Sequence, residues 1–110
     1  MPNAESRIGQ RVARQVTQAL SEGVPSINDT AKYLGMSSRT LQRRLSEEGL
    51  VYQQLVDDTR RDLSARLLQK NGYSLAEIAF LTGYAEQSTF TRAFKRWYGQ
   101  TPAGFRRTMP

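Results

Sequence analysis

Apolar residues recur at helical spacing along almost the whole of this chain. Ile8, Val12, Val16, Ala19 and Leu20 return every three or four positions, which predicts a first helix from about Ala4 to Ser21. Gly23 and Pro25 close it. Ser26 is placed to cap a short second helix in which Ile27, Ala31 and Leu34 point inward, with Asp29 three residues on as an Asp variant of the capping box. Gly35 ends that helix where a left-handed residue is needed. Ser37 caps a third helix that runs to Glu48, buries Leu41 and Leu45, and stops at Gly49. Tyr52, Leu55, Val56, Thr59, Leu63 and Leu67 share one face of a longer helix, about Tyr52 to Gln69. Such a helix spans about 27 Å, and Asn71-Gly72 breaks it. Ser74 opens a fifth helix with Glu77 at the third position of a full capping box, and Leu75, Ile78, Ala79 and Leu81 form its apolar side. Beyond Gly83 a sixth helix covers about Gln87 to Tyr98, with Phe90, Phe94 and Trp97 inward and Gly99 as its stop. Thr101-Pro102 starts a seventh, with Thr as cap and Pro at the first position. No segment alternates with the period of a strand. The predicted fold class is all-α, with seven helices.

The pattern also repeats. Ala31-Lys-Tyr-Leu-Gly35 returns as Ala79-Phe-Leu-Thr-Gly83, each copy preceded by a serine cap. Each is followed by a basic helix: Arg39-Thr-Leu-Gln-Arg-Arg-Leu45, then Ser88-Thr-Phe-Thr-Arg-Ala-Phe-Lys-Arg96. Helix, turn through glycine, then basic helix is the pattern of a helix-turn-helix. The expected organisation is a first helix-turn-helix subdomain over residues 1–50, a linker helix over 51–71, and a second subdomain over 72–110. Two such units in one small chain suggest a grip on two successive major-groove faces of DNA.

Composition narrows the chemistry. The 110 residues carry a net charge of +6, which favours polyanions such as nucleic acid. Cysteine and histidine are both absent, so disulfides, zinc fingers, His-based metal sites and Ser-His or Cys-His catalysis are excluded. There is no Gly-rich phosphate loop and no visible carboxylate cluster, so the chain reads as a non-enzyme without cofactor or metal. No apolar run approaches the roughly 20 residues of a membrane span, and the N-terminus has no apolar core after its charges, so it is no secretory signal. The expected location is the cytoplasm, with no membrane partner.

On a helical wheel of about 100° per residue, Leu41 and Leu45 set the buried side of the third helix. Arg39, Arg43 and Ser46 fall opposite, with Gln42 at the edge. Arginine matches guanine O6 and N7, and glutamine matches adenine N6 and N7. Ser37 and Ser38, with the amides of that helix start, suit a phosphate. On the sixth helix Ser88, Arg92 and Lys95 point away from Phe90, Phe94 and Trp97, with Thr91 and Arg96 flanking. The aromatic trio reads as core, because single-strand stacking would empty the only core this half has. Arg60, Arg61, Arg66 and Lys70, beside Asp57, Asp58 and Asp62, read as ordinary surface pairs. Arg106 and Arg107 could meet phosphate or simply be solvated, and Arg106 is counted in the DNA-binding set as an expected phosphate contact.

From Ser26 to Arg107 the chain resembles the DNA-binding domain of the AraC/XylS transcription regulators. The resemblance rests on Leu41-Gln-Arg-Arg-Leu45 with Gly49, and on Ser74-Leu-Ala-Glu-Ile-Ala-Phe-Leu-Thr-Gly-Tyr84 with Ser88-Thr-Phe-Thr-Arg-Ala-Phe-Lys-Arg-Trp-Tyr-Gly99. Thr101-Pro102 with Phe105-Arg106 completes it. It implies two helix-turn-helix subdomains joined by one long helix, with the third and sixth helices entering adjacent major grooves. Carried over by position, Arg39, Gln42 and Arg43 read bases in the first groove, and Gln87, Ser88, Thr91 and Arg92 in the second. Where the family has Gly-Phe after the second turn, this chain has Gly83-Tyr84. Most family members carry a separate sensing or dimerisation domain, so the chain is expected to be either an excised C-terminal module, the favoured reading, or a stand-alone small regulator, monomeric by itself. The expected function is sequence-specific binding of double-stranded DNA and regulation of transcription, more often activation. The competing reading is an adaptor that holds RNA polymerase or another protein.

Overall fold

The computed structural model describes residues 7–70 and 72–108 of the protein. Among these residues there are seven α-helices and no strand: α1 (Ile8–Ala19), α2 (Ile27–Tyr33), α3 (Ser38–Glu47), α4 (Tyr52–Gln69), α5 (Leu75–Leu81), α6 (Gln87–Tyr98) and α7 (Pro102–Thr108). Leu20–Glu22 form one 3-10 turn after α1. No described helix is long and apolar enough to cross a membrane. The expected start of α1 at Ala4 lies outside the described residues, as does Asn71 of the expected break. Gly72, at φ 109°, does stand in that break.

The serine caps form where the sequence places them. Ser26 Oγ accepts from the Asp29 amide at 3.1 Å, and Ser37 Oγ from the Thr40 amide at 3.1 Å. Ser74 and Glu77 make the reciprocal box, both bonds at 3.0 Å. Those bonds hold the Glu77 carboxyl below its usual pKa. Asp29 makes no return bond among the described residues; its side chain is one methylene shorter than that of Glu77.

The cap of α1 comes from elsewhere. Its N-cap residue, Arg7, makes no capping bond. The Glu48 carboxylate, at the far end of α3, accepts from the Ile8 amide at 2.8 Å and from the Gly9 amide at 3.0 Å. Two orphan donors of the first turn are thereby satisfied. Gly9 allows the close approach: a Cβ there would lie 2.5 Å from Leu50 Cδ1.

Two apolar cores flank α4. The first gathers Ile8, Val12, Val16 and Leu20 with Ala31, Leu41, Leu45, Leu55 and Val56. The second gathers Leu67 and Leu68 with Ile78, Ala79, Phe90 and Phe94. Tilted and edge-on aromatic contacts knit the latter, with Phe94 meeting Tyr98 at 4.7 Å and Phe105 at 5.2 Å between ring centroids.

The single apolar face expected of α4 is incomplete. Leu55, Val56 and Thr59 are buried in its first half, and Ser64, Leu67 and Leu68 in its second. On a wheel of about 100° per residue the centres of these two sets lie roughly 130° apart. The sequence pattern caught the shared sector and missed Ser64 and Leu68, because both lie outside the single face on which the apolar spacing was counted. Ser64 Oγ is satisfied by donating to the Arg60 carbonyl at 2.6 Å. Leu63 lies between the two sectors and packs against both cores.

Candidate nucleic-acid interface

Burial of Leu41 and Leu45 turns Arg39, Gln42, Arg43 and Ser46 of α3 to solvent. Ser37 is exposed and Ser38 half-buried at the helix start. The Ser37 hydroxyl is used locally: it accepts from the Thr40 amide and donates to Thr40 Oγ1 at 3.0 Å. Arg43 rests against Glu47 at 3.2 Å, with both side chains 62% exposed. A pair this open is worth little, so Arg43 can leave it for a stronger acceptor.

On α6 the buried residues are Phe90, Ala93 and Phe94. Gln87, Ser88, Arg92, Lys95 and Arg96 are exposed on the other side, and Thr91 is half-buried beside them. Glu86 occupies the N-cap and makes no side-chain capping bond. The first amides of α6 are therefore not bonded by that cap and point toward whatever meets the helix start.

Each basic helix follows a short helix and a tight turn. Gly35 (φ 76°) and Gly83 (φ 88°) carry the turns in the left-handed region. The Met36 amide donates to the Ala31 carbonyl at 3.0 Å, and the Tyr84 amide to the Ala79 carbonyl at 2.9 Å, the same closure in both copies. The molecule is 42 Å in its longest dimension, enough to reach across one DNA turn of about 34 Å.

The model of a helix-turn-helix domain family matches residues 30–108, through both turns and both basic helices. The chain belongs to the AraC-type helix-turn-helix family.

This AraC-type domain is 40% identical over 103 residues to the transcriptional regulator VirS of Mycobacterium tuberculosis, covering 94% of this chain and 30% of VirS. The chain thus spans less than a third of that relative. A DNA-binding transcriptional dual regulator from Escherichia coli K-12 superposes with a TM-score of 0.83 at 25% identity, covering 97% of this chain and 96% of the other. The DNA-binding domain of AdpA, solved with a target DNA, gives a TM-score of 0.69 at 28% identity over 93% of this chain and 92% of AdpA's.

One arginine of the AraC-type domain differs from its sequence reading. Arg60 is no surface ion pair. Its Nε donates to the Thr82 carbonyl at 2.8 Å, and its guanidinium carbon lies 3.7 Å from the centroid of the Tyr84 ring. Burial lowers the pKa of Arg60 and raises that of Tyr84, the arginine opposing the latter shift. Arg61 does pair as expected, with Asp62 at 3.2 Å and Asp58 at 3.5 Å.

Arg106 is half-buried and turned away from open solvent. Its Nε donates to the Leu68 carbonyl at 3.2 Å, tying α7 to the end of α4. The carbonyls of a helix's last turn need donors, and Arg106 supplies one. Arg107 is exposed. The structure thus gathers the α3 set on one helix face and the α6 set on another, and leaves Arg106 with neither.

Proposed function

We propose that this domain binds double-stranded DNA sequence-specifically and regulates transcription, as an activator, by placing α3 and α6 in adjacent major grooves. The supporting observation is the matched pair of exposed basic faces on α3 and α6, each behind the same turn, with α4 connecting the two units. In this reading Arg39, Gln42 and Arg43 read bases in one groove, and Gln87, Ser88, Thr91 and Arg92 in the next. Lys95, Arg96 and the amides at Ser37 and Ser38 meet phosphate, which positions without specifying. Selection from a random duplex pool tests this directly: it should return a site of two unlike halves about one turn apart. Affinity for that site should fall about tenfold or more between 50 and 200 mM salt, through counterion release. A chain that selects no sequence, or binds DNA without salt dependence, sinks the proposal.

One observation favours a protein contact beside the DNA contact. Tyr33 on α2 and Phe80 on α5 are 66% and 60% exposed, although both are large and apolar. Both lie on the helices that precede the basic ones. A contact with RNA polymerase there would make Phe80→Ser lose transcriptional activation while keeping DNA affinity. Loss of DNA binding by the same variant would remove this second reading.

A further inference from the structure

The turn between α5 and α6 is held from two sides by residues outside its own helix-turn-helix. From α4, Arg60 donates to the Thr82 carbonyl at 2.8 Å and lays its guanidinium over the Tyr84 ring, 3.7 Å from the centroid. From the first subdomain comes Leu20: a Cβ built on Gly83 would lie 3.1 Å from Leu20 Cδ2 and 3.3 Å from the Leu20 carbonyl oxygen. The segment between these supports is itself stiff. Thr82 is fully buried, and its hydroxyl donates to the Ile78 carbonyl at 2.7 Å. Arg60 therefore bonds to a buried, internally hydrogen-bonded part of the second motif, at the place where that motif abuts the first.

We propose that Arg60 is a positioning residue that sets the separation and angle between the two recognition helices, and through them the half-site spacing that the domain accepts. The inference rests on the two-groove reading above. Two linked binding elements act together to the extent that their junction holds them in register. Arginine suits the task because its planar fork bonds a carbonyl and stacks flat on a ring at once, whereas a lysine ammonium is a point charge that has no plane to stack while it bonds. Arg60→Lys keeps the charge and loses the lock. Loosening the junction lowers affinity for the correctly spaced site and relaxes discrimination against a misplaced half, while each helix still reads its own groove.

The test uses the whole 110-residue chain and three sets of duplexes. These are the best site selected by the unaltered protein, that site with one base pair inserted between its halves, and duplexes that keep only one half. Arg60→Lys and Arg60→Met should each bind the selected site about tenfold more weakly, pay a smaller penalty for the inserted pair, and match the unaltered protein on each single half. Tyr84→Phe keeps the ring face and should keep the spacing preference. Equal loss on every duplex, single halves included, would reduce Arg60 to a folding role and overturn the inference. So would an unchanged insertion penalty in both Arg60 variants. Selection of a one-groove site by the unaltered protein would overturn the two-groove reading, and this inference with it.

Discussion

Glu48 caps Ile8 from 40 residues away. The carboxylate that ends α3 accepts the first amide of α1 at 2.8 Å, so the helix carrying Arg39 and Arg43 is tied at its far end to the opening of the chain's first helix. Gly9 is the notch that admits this contact beside Leu50.

Removing the cap, Glu48→Ala, should lower stability by about 0.5–2 kcal/mol. Filling the notch, Gly9→Ala, should cancel the gain of about 1 kcal/mol that the better helix propensity of alanine offers, because the new methyl must push Leu50 Cδ1 aside. Urea unfolding with an unchanged slope measures both. A Gly9→Ala variant more stable than the parent would show that Leu50 moves aside freely.

Arg43→Ala and Arg92→Ala should each cost about 1–3 kcal/mol on the best site and relax preference in one half only. Binding to a panel of single-base site variants separates base reading from phosphate contact. A uniform loss over the panel would assign the residue to the backbone. Arg106→Ala should act differently, lowering stability through the lost Leu68 bond with little change in sequence preference.

Tyr52 ties the start of α4 to the start of α2. Its hydroxyl donates to the Pro25 carbonyl at 2.8 Å and meets the buried Thr30 hydroxyl at 2.8 Å. Tyr52→Phe should lower stability by about 1–3 kcal/mol, since it leaves Thr30 and Pro25 short of a partner. Thermal unfolding of the variant measures the loss, and no change in midpoint would mean that water replaces the phenol.

The isolated chain should bind its site as a monomer on a sequence without two-fold symmetry, because α3 and α6 present different side chains. A protein dimer of identical readers would impose a palindrome. Sedimentation of the complex at micromolar concentration decides this. A two-to-one complex on a palindrome would refute it.

The helices, their serine caps and the two turns were legible because each rests on a local signal: apolar spacing, a hydroxyl before the run, a glycine after it. Exposure of Arg39, Arg43 and Arg92 followed from the same spacing, since burying Leu41 or Phe90 fixes what points outward. The contacts that the spacing left unread share another cause. Glu48 on Ile8, Arg60 on Thr82 and Arg106 on Leu68 are polar side chains bonded to backbone far away in sequence, and no periodicity records such a partner. Charge near opposite charge made Arg60 look like a surface pair, when a carbonyl and a ring hold it. Apolar surface left exposed has no local signal either. Val51, Tyr33 and Phe80 are all exposed.

Leu63 fills part of both cores. Neither half of the chain then has an interior wholly its own. Cut α4 on either side of this residue and one fragment keeps the leucine while the other inherits a hole, with the apolar walls of Leu67 and Leu68 or of Leu55 and Val56 opened to water. Melting one core strips Leu63 of half its neighbours and so weakens the other. Heat should therefore take the chain apart in a single calorimetric transition. The most slowly exchanging amides should lie along the middle of α4, where opening requires both interiors to fail together.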